Sequence, residues 1–285
     1  MLNTILTGLE FNQQYGGKKF VKLTNRVENH NGYQFQTGLN VDSIPFNPKG
    51  QCRPGGIYFC LLEKIHLWLN YDIKSMIYAR LVTIPDDARI YIETDKFKAD
   101  RLILGERQKI GDLEQWKDPL YCLEAVREDG HALKFVVKQT EAVCLEAVKQ
   151  EGNNLMHVLE QTREICLAAI NNNTYALAHV KDQTPELCLK AIEQSPDAVH
   201  YVKDQSKELC LEAIRQDPLA LEYVKNQTPE LCMEAVRQDP LALRYVKDQT
   251  PELCMEAIRG NPLAWRHVRE QTDELCRAAG WAVSS

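Results

Sequence analysis

The segment QTPELCMEAVRQDPLALRYVKD, Gln227 to Asp248, contains two helix starts. Thr228 is suited to an N-cap, because its side-chain oxygen can accept a first-turn N–H. Pro229 then stands at the first helical position, where its missing N–H costs nothing. Glu230 meets the positive end of the helix dipole. Asp239-Pro240 repeats the grammar, and a residue preceding proline is pushed away from the α region. The spacing predicts one helix stopping near Gln238 and a second running to about Lys247. Leu231, Cys232, Ala235 and Val236 share one face of the first, and Ala242, Leu243 and Val246 one face of the second.

The same 22-residue phase continues in both directions without a slip. Units begin at Gln139, Gln161, Gln183, Gln205, Gln227, Gln249 and Gln271, with an earlier, degraded unit from Lys117. One position is alanine in all eight copies (125, 147, 169, 191, 213, 235, 257, 279). Another is valine in all seven that reach it (136, 158, 180, 202, 224, 246, 268). A small residue at a fixed phase lets adjacent helices approach closely. Helices of about nine residues are too short to stand alone, so each must bury its face against the next repeat, the logic of a solenoid. A leucine-rich repeat has a similar period, but its L-x-x-L-x-L strand signature is missing. In the last unit Arg277 stands where the other copies have Leu or Met, and no second helix follows before Ser285, so that unit is expected to act as a cap. The expected fold is an α+β N-terminal domain, residues 1–111, followed by an all-α solenoid of eight 22-residue helix-turn-helix repeats over residues 117–285, with the joint around Gly111–Trp116.

Charge separates the two parts. Residues 1–111 carry 15 Lys and Arg against 11 Asp and Glu, whereas residues 112–285 carry 19 against 29. An acidic array is a poor match for a phosphate backbone, since counterion release needs clustered Lys and Arg, so a nucleic-acid partner is not expected. No apolar run approaches the roughly 18 residues a membrane span needs, and Met1–Gly8 has no basic n-region, so a cytoplasmic location is expected. Eight of the ten cysteines, at 122, 144, 166, 188, 210, 232, 254 and 276, are 22 residues apart. They are one structural position copied eight times; stacking at about 8–10 Å puts neighbours beyond the ~7 Å reach of a disulfide. No Cys-x-x-Cys pair suggests zinc, and buried free Cys behaves as a small hydrophobe.

Three polar columns run through the repeats. One is Arg127, Lys149, Asn171, Glu193, Arg215, Arg237, Arg259, and a second is Lys134, Met156, Ala178, His200, Glu222, Arg244, Arg266. The third is a ladder of rings, Phe135, His157, His179, Tyr201, Tyr223, Tyr245, His267. Rings before an invariant Val are expected to half-bury between repeats. Aromatic residues and Arg also dominate binding hot spots, so Arg215, Arg237, Arg259, Tyr223 and Tyr245 are the expected contacts for a protein partner. His157, His179 and His267 lie at least a repeat apart and share no metal.

Residues 1–111 have a different texture. Phe20–Thr24, Gly56–Leu61, Met76–Ile84 and Arg89–Glu93 read as strands, Leu62–Asn70 has helical spacing, and Pro45–Gly56 is a long loop. The runs KLTNRVENHNGYQFQTGLN (22–40), GQCRPGGIYF (50–59) and KADRLILGERQ (98–108) resemble a module found ahead of ankyrin-type repeats in giant-virus proteins and some bacterial relatives. The 22-residue units likewise resemble repeats from bacteria and giant viruses of the form QTxEICLAAVKQNGLALxYVK. These similarities imply an ankyrin-like binding scaffold and name no reaction. A second similarity is to ADP-ribosyltransferase folds: a strand, the Gly38-Leu39 turn, then Gly56-Ile-Tyr-Phe leading into a helix and a further strand. That resemblance implies NAD as cofactor, with His30, Tyr58 or Tyr71, and Glu106 as catalytic candidates, although no Glu-x-Glu pair is present. Phosphate-loop, zinc-protease, nucleophile-elbow and dinucleotide motifs are absent. Cys52 and Cys60 flank a Gly-rich turn, and His66 is the base nearest in sequence that a thiol nucleophile would need. The sequence thus favours an interaction scaffold in which the repeats grip a protein partner and the N-terminal domain caps the array or adds a contact. The alternative is an NAD-using transferase whose repeats select its target.

Overall fold

A computed structural model of the chain describes residues 3–30, 32–48, 54–69 and 76–280. It contains an antiparallel sheet domain followed by a run of regularly spaced helices, the α+β domain and α-solenoid expected. Residues up to Glu146 form one compact unit and residues from Ala147 onward a second.

The first unit opens with strand β1 (Ile5–Thr7) and helix α1 (Gly8–Gln14), whose start is a capping box between Thr7 and Glu10. The further strands are β2 (Phe20–Thr24), β3 (Asn29–His30), β4 (Tyr33–Gln34), β5 (Gly38–Val41), β6 (Ile57–Leu61), β7 (Tyr78–Thr83), β8 (Arg89–Ile92), β9 (Phe97–Ala99) and β10 (Arg101–Lys109). Eight of them form an antiparallel sheet in the order β1-β8-β9-β6-β2-β7-β10-β5, and β3 and β4 form a separate pair. All four strands read from composition are present; β1, β3, β4, β5, β9 and β10 and helix α1 were not anticipated, and Gly38-Leu39, read as a turn, opens strand β5. Leu62–Trp68 is a 3₁₀ helix. Phe11 of α1 covers one sheet face by packing against Phe20, Phe59 and Phe97, with ring centroids 5.1–6.0 Å apart.

In the middle of the sheet β2 pairs with β7 through all five of its residues, from Phe20 to Thr24. Its pairing with β6 stops after Phe20↔Leu61 and Val21↔Cys60, while Ile57–Phe59 of β6 pair with β9 instead. The strands splay there, and the split opens a cavity.

After β10, Ile110–Asp112 and Glu114–Lys117 form two 3₁₀ turns. Trp116 is buried there and stacks on Phe135 at 5.4 Å. The repeat helices follow: α2 (Pro119–Glu128), α3 (Glu141–Gln150), α4 (Arg163–Asn172), α5 (Pro185–Gln194), α6 (Lys207–Gln216), α7 (Pro229–Gln238), α8 (Pro251–Gly260) and α9 (Asp273–Ala278). The side chains of Thr162, Thr184, Ser206, Thr228, Thr250 and Thr272 cap their helices as read, each accepting an N–H three residues on. The Ala column from 125 to 257 and the Val column are buried.

The second segment of each repeat departs from expectation. It is a six-residue 3₁₀ helix, Pro240–Tyr245 in the segment quoted first, and it ends two residues before Lys247. The Val246 N–H bonds to Leu243 O, three residues back, and the Lys247 N–H is taken by Gln227 Oε1 at 2.8 Å. A backbone donor claimed by a side chain at the start of the repeat cannot continue a helix, so the chain turns extended.

Candidate functional site

The repeat-leading glutamines, treated in sequence only as phase markers, are structural clamps. Gln205 Nε2 donates to Val199 O at 2.8 Å and to Tyr223 O at 3.0 Å, while its Oε1 accepts the Lys225 N–H at 2.8 Å. One side chain thereby ties the two ends of its own repeat together and to the repeat before it. Gln161, Gln183, Gln227 and Gln249 make the same set of bonds. The lysine two residues before each glutamine works in parallel: Lys225 Nζ donates to Val202 O and Lys203 O at 2.8 and 3.2 Å, and Lys203 and Lys247 repeat this. The cysteine column sits beneath the glutamines, buried except at the half-buried Cys276, and free of disulfides. Burial pushes the Cys144 thiol up to about 11, and the buried members of the column pack as small apolar groups.

With those columns assigned to cohesion, the surface of the repeats is made by the outer face of the 3₁₀ segments and the exposed positions of the α-helices. The ring ladder is half-buried from Phe135 to His267, as expected. Its backbone carbonyls, not its ring atoms, take the glutamine bonds. The rings continue from repeat to repeat: Tyr175 meets Tyr201 at 5.3 Å, and His200 lies edge-on to both Tyr201 and Tyr223 at 5.0 and 5.4 Å. The Arg244 guanidinium lies 4.6 Å from the Tyr245 ring. Asp197 and Glu222 hold the Tyr223 phenol above its ordinary range. The sequence argument placed Tyr223 and Tyr245 on this strip but missed Tyr175, whose column mixes Tyr, Asp and Leu. Arg215, Arg237 and Arg259 stand on the exposed ends of the α-helices, where Arg237 pairs with Glu256 of the next repeat at 3.3 Å.

The first unit holds the second set of site candidates. His30 and Tyr58 both line the cavity of about 70 Å³ at the β2–β6 split, together with Lys22, Phe35, Trp68 and Lys96. A neighbouring cavity of about 170 Å³ shares Lys22, His30, Phe35 and Tyr58. Glu28 has a left-handed backbone at φ 52° and turns its carboxylate onto Arg80 with two bonds of 2.8 and 2.9 Å. The Arg80 hydrogen bonds hold the Glu28 carboxyl below its usual range. Glu106 is exposed on β10 at the irregularity between Leu104 and Arg107, and it is not among the residues lining either cavity. Tyr71 and Cys52 lie outside the described residues. Cys60 is buried, and desolvation pushes its thiol up to about 12, far from an activated nucleophile. The lysines of this cavity were not singled out in sequence; the signal was their alternation with aromatics in Phe20-Val-Lys22 and Lys96-Phe-Lys98.

No helix among the described residues is long and apolar enough to cross a membrane. Comparison with known proteins matches residues 184–228 and 206–250 to a domain of unknown function (DUF4116), two windows displaced by one repeat. "Uncharacterized protein R869" of Acanthamoeba polyphaga mimivirus is 34% identical over 107 residues, 37% of this chain and 78% of that protein. "Putative ankyrin repeat protein R868" of the same virus is 31% identical over 112 residues, covering 37% of this chain and 54% of its own length. "Putative ankyrin repeat protein R229" is 37% identical over 103 residues, 33% and 32% respectively. The match thus spans about half of R868 and about a third of R229. No solved structure matches the chain. With more than three-quarters of R869 covered at that identity, the chain belongs to the family of this mimivirus protein, and it carries DUF4116 repeats in its second half.

Proposed function

We propose that the chain is a protein-interaction scaffold whose repeat array takes a protein partner on the outer face of its 3₁₀ segments. The observation that carries this reading is the continuous strip Tyr175, Tyr201, His200 and Tyr223, half-buried to exposed, whose ring atoms serve none of the glutamine and lysine bonds that hold the repeats together. Tyr and Arg offer large contact area at low entropic cost and dominate measured hot spots. The names of the relatives R868 and R229 point the same way, since ankyrin repeats are binding modules. Arg215, Arg237 and Arg259, exposed at the ends of the α-helices, supply further contacts. Residues 1–111 cap the array of residues 117–285 or add a second contact. An NAD-using transferase with Glu106 as its carboxylate is the less favoured reading, because Glu106 lines neither cavity beside His30 and Tyr58, and Glu28, which does line one, is held by Arg80.

The test is affinity capture from a cell lysate with the full chain and with the triple substitution Tyr201→Ala, Tyr223→Ala, Tyr245→Ala. A partner retained by the unaltered chain and reduced at least tenfold by the triple variant, as hot-spot losses of about 2 kcal/mol or more predict, supports the reading. Equal recovery by a triple variant with unchanged helical signal overturns it.

A further inference from the structure

Two cations of this chain rest on rings of the ladder. The Arg244 guanidinium lies 4.6 Å from the Tyr245 centroid, and in the first unit Lys134 Nζ lies 5.0 Å from that of Phe135. Each cation belongs to the residue just before its ring, and each pair gains from the attraction of positive charge to the negative face of a π system. At Tyr223 that place is held by Glu222 instead. A second carboxylate reaches the same ring from the repeat before. Tyr175 meets Tyr201 at 5.3 Å, and Asp197 occupies Tyr175's position one repeat later, which sets it beside Tyr223. Both charges act on the Tyr223 phenol and raise its pKa, Asp197 more than Glu222. Both carboxylates are exposed, and among the described residues neither is hydrogen-bonded or ion-paired. The lysines that follow these rings are engaged elsewhere. Lys203 Nζ donates to Val180 O and Lys181 O at 2.8 and 2.9 Å, and Lys225 Nζ to Val202 O and Lys203 O at 2.8 and 3.2 Å. His200 borders the patch, edge-on to Tyr201 and Tyr223 at 5.0 and 5.4 Å. An aromatic face flanked by two uncompensated carboxylates is complementary to a cation that the chain itself does not provide.

We propose that the partner of the repeat array presents an arginine here, its guanidinium on the Tyr223 face and its N–H groups toward Asp197 and Glu222. The inference rests on the reading of this strip as the partner-binding face. A guanidinium suits the patch better than an ammonium, because it is planar, stacks on a ring and still donates along its edge to carboxylates. In the next two repeats Arg244 and Arg266 hold Glu222's column with the opposite sign. Like charges juxtaposed across an interface are costly, so the partner's arginine has one favoured register on the strip.

The test follows the tyrosine-ring NMR resonances of the full chain during titration with acetyl-Gly-Arg-Gly-amide. The lysine counterpart and the citrulline counterpart, which keeps the shape and loses the charge, are titrated alongside. A saturable shift at Tyr223 with the arginine peptide, weaker binding of the lysine peptide and none of the citrulline peptide support the proposal. The double substitution Asp197→Asn, Glu222→Gln should weaken arginine binding about tenfold or more. Glu252→Gln, at an exposed carboxylate in the first turn of α8, should leave it unchanged. A Tyr223 ring that stays fixed, lysine or citrulline binding as tightly as arginine, or undiminished binding by the folded double variant overturns it. If the double variant loses helical signal, the citrulline comparison on the unaltered chain decides. Partner capture separates this claim from the scaffold reading. A partner lost with the three tyrosine substitutions but kept by the double variant overturns the arginine and leaves the scaffold standing.

Discussion

Gln205 shows how much one polar side chain can hold. It satisfies two carbonyls and one N–H drawn from its own repeat and the one before, at 2.8–3.0 Å. A buried backbone group left without its partner costs about 1–3 kcal/mol, so Gln205→Leu is expected to lower unfolding free energy by about 2–4 kcal/mol in urea titration. A loss under half a kcal/mol would mean the backbone finds other partners. His66 is the opposite case, a buried ring with neither nitrogen hydrogen-bonded among the described residues. Desolvation, then Lys64, lowers its pKa below the usual 6.5, with Glu128, Glu124 and Asp129 opposing. The unfolded chain takes up that proton near pH 6.5 while the folded chain resists, so the contribution to stability is full above about 6.5 and is lost as pH falls toward the lower folded pKa. His66→Leu is expected to be neutral or stabilising near neutral pH and to flatten the fall of stability between about pH 7.5 and pH 5.5. An unchanged slope in denaturation at the two pH values would remove His66 from the account.

At the scale of elements, the α-helices were legible because every cue lies within a turn or two of the residue it governs. Thr or Ser at the N-cap, Pro at the first position and the Asp-Pro, Ser-Pro or Asn-Pro stop act through bonds to residues two to four away. The strands with β-branched and aromatic runs were legible for the same reason. The 3₁₀ character of the second segments was not: Ala242, Leu243 and Val246 have the same spacing in either helix type. What stops the segment is Gln227, twenty residues before the Lys247 N–H it captures. Short strands such as β9 (Phe97–Ala99) escaped notice because three residues carry no periodicity, and their state is set by the neighbours that pair with them.

For the whole molecule, the glutamine and lysine bonds make each repeat depend on the next, so local damage should spread. Ala213 is fully buried in α6, and proline there removes a helical bond and clashes with the preceding turn, a cost of about 3 kcal/mol or more. In an array coupled through nearest neighbours, Ala213→Pro is expected to remove more far-UV helical signal than one repeat contributes. A loss equal to one repeat would show that the units are independent. The amino-acid sequence by itself determined the 22-residue phase, the start and stop of each α-helix and the columns that are buried. These follow from periodicity and from bonds between near neighbours in the chain. Tertiary structure alone decided the strand order, the clamp made by each glutamine, and the meeting of Lys22, His30, Tyr58 and Lys96 at one cavity. These groups are brought together by pairing between distant strands and successive repeats, and no local propensity encodes which distant partner a strand or a side chain will find.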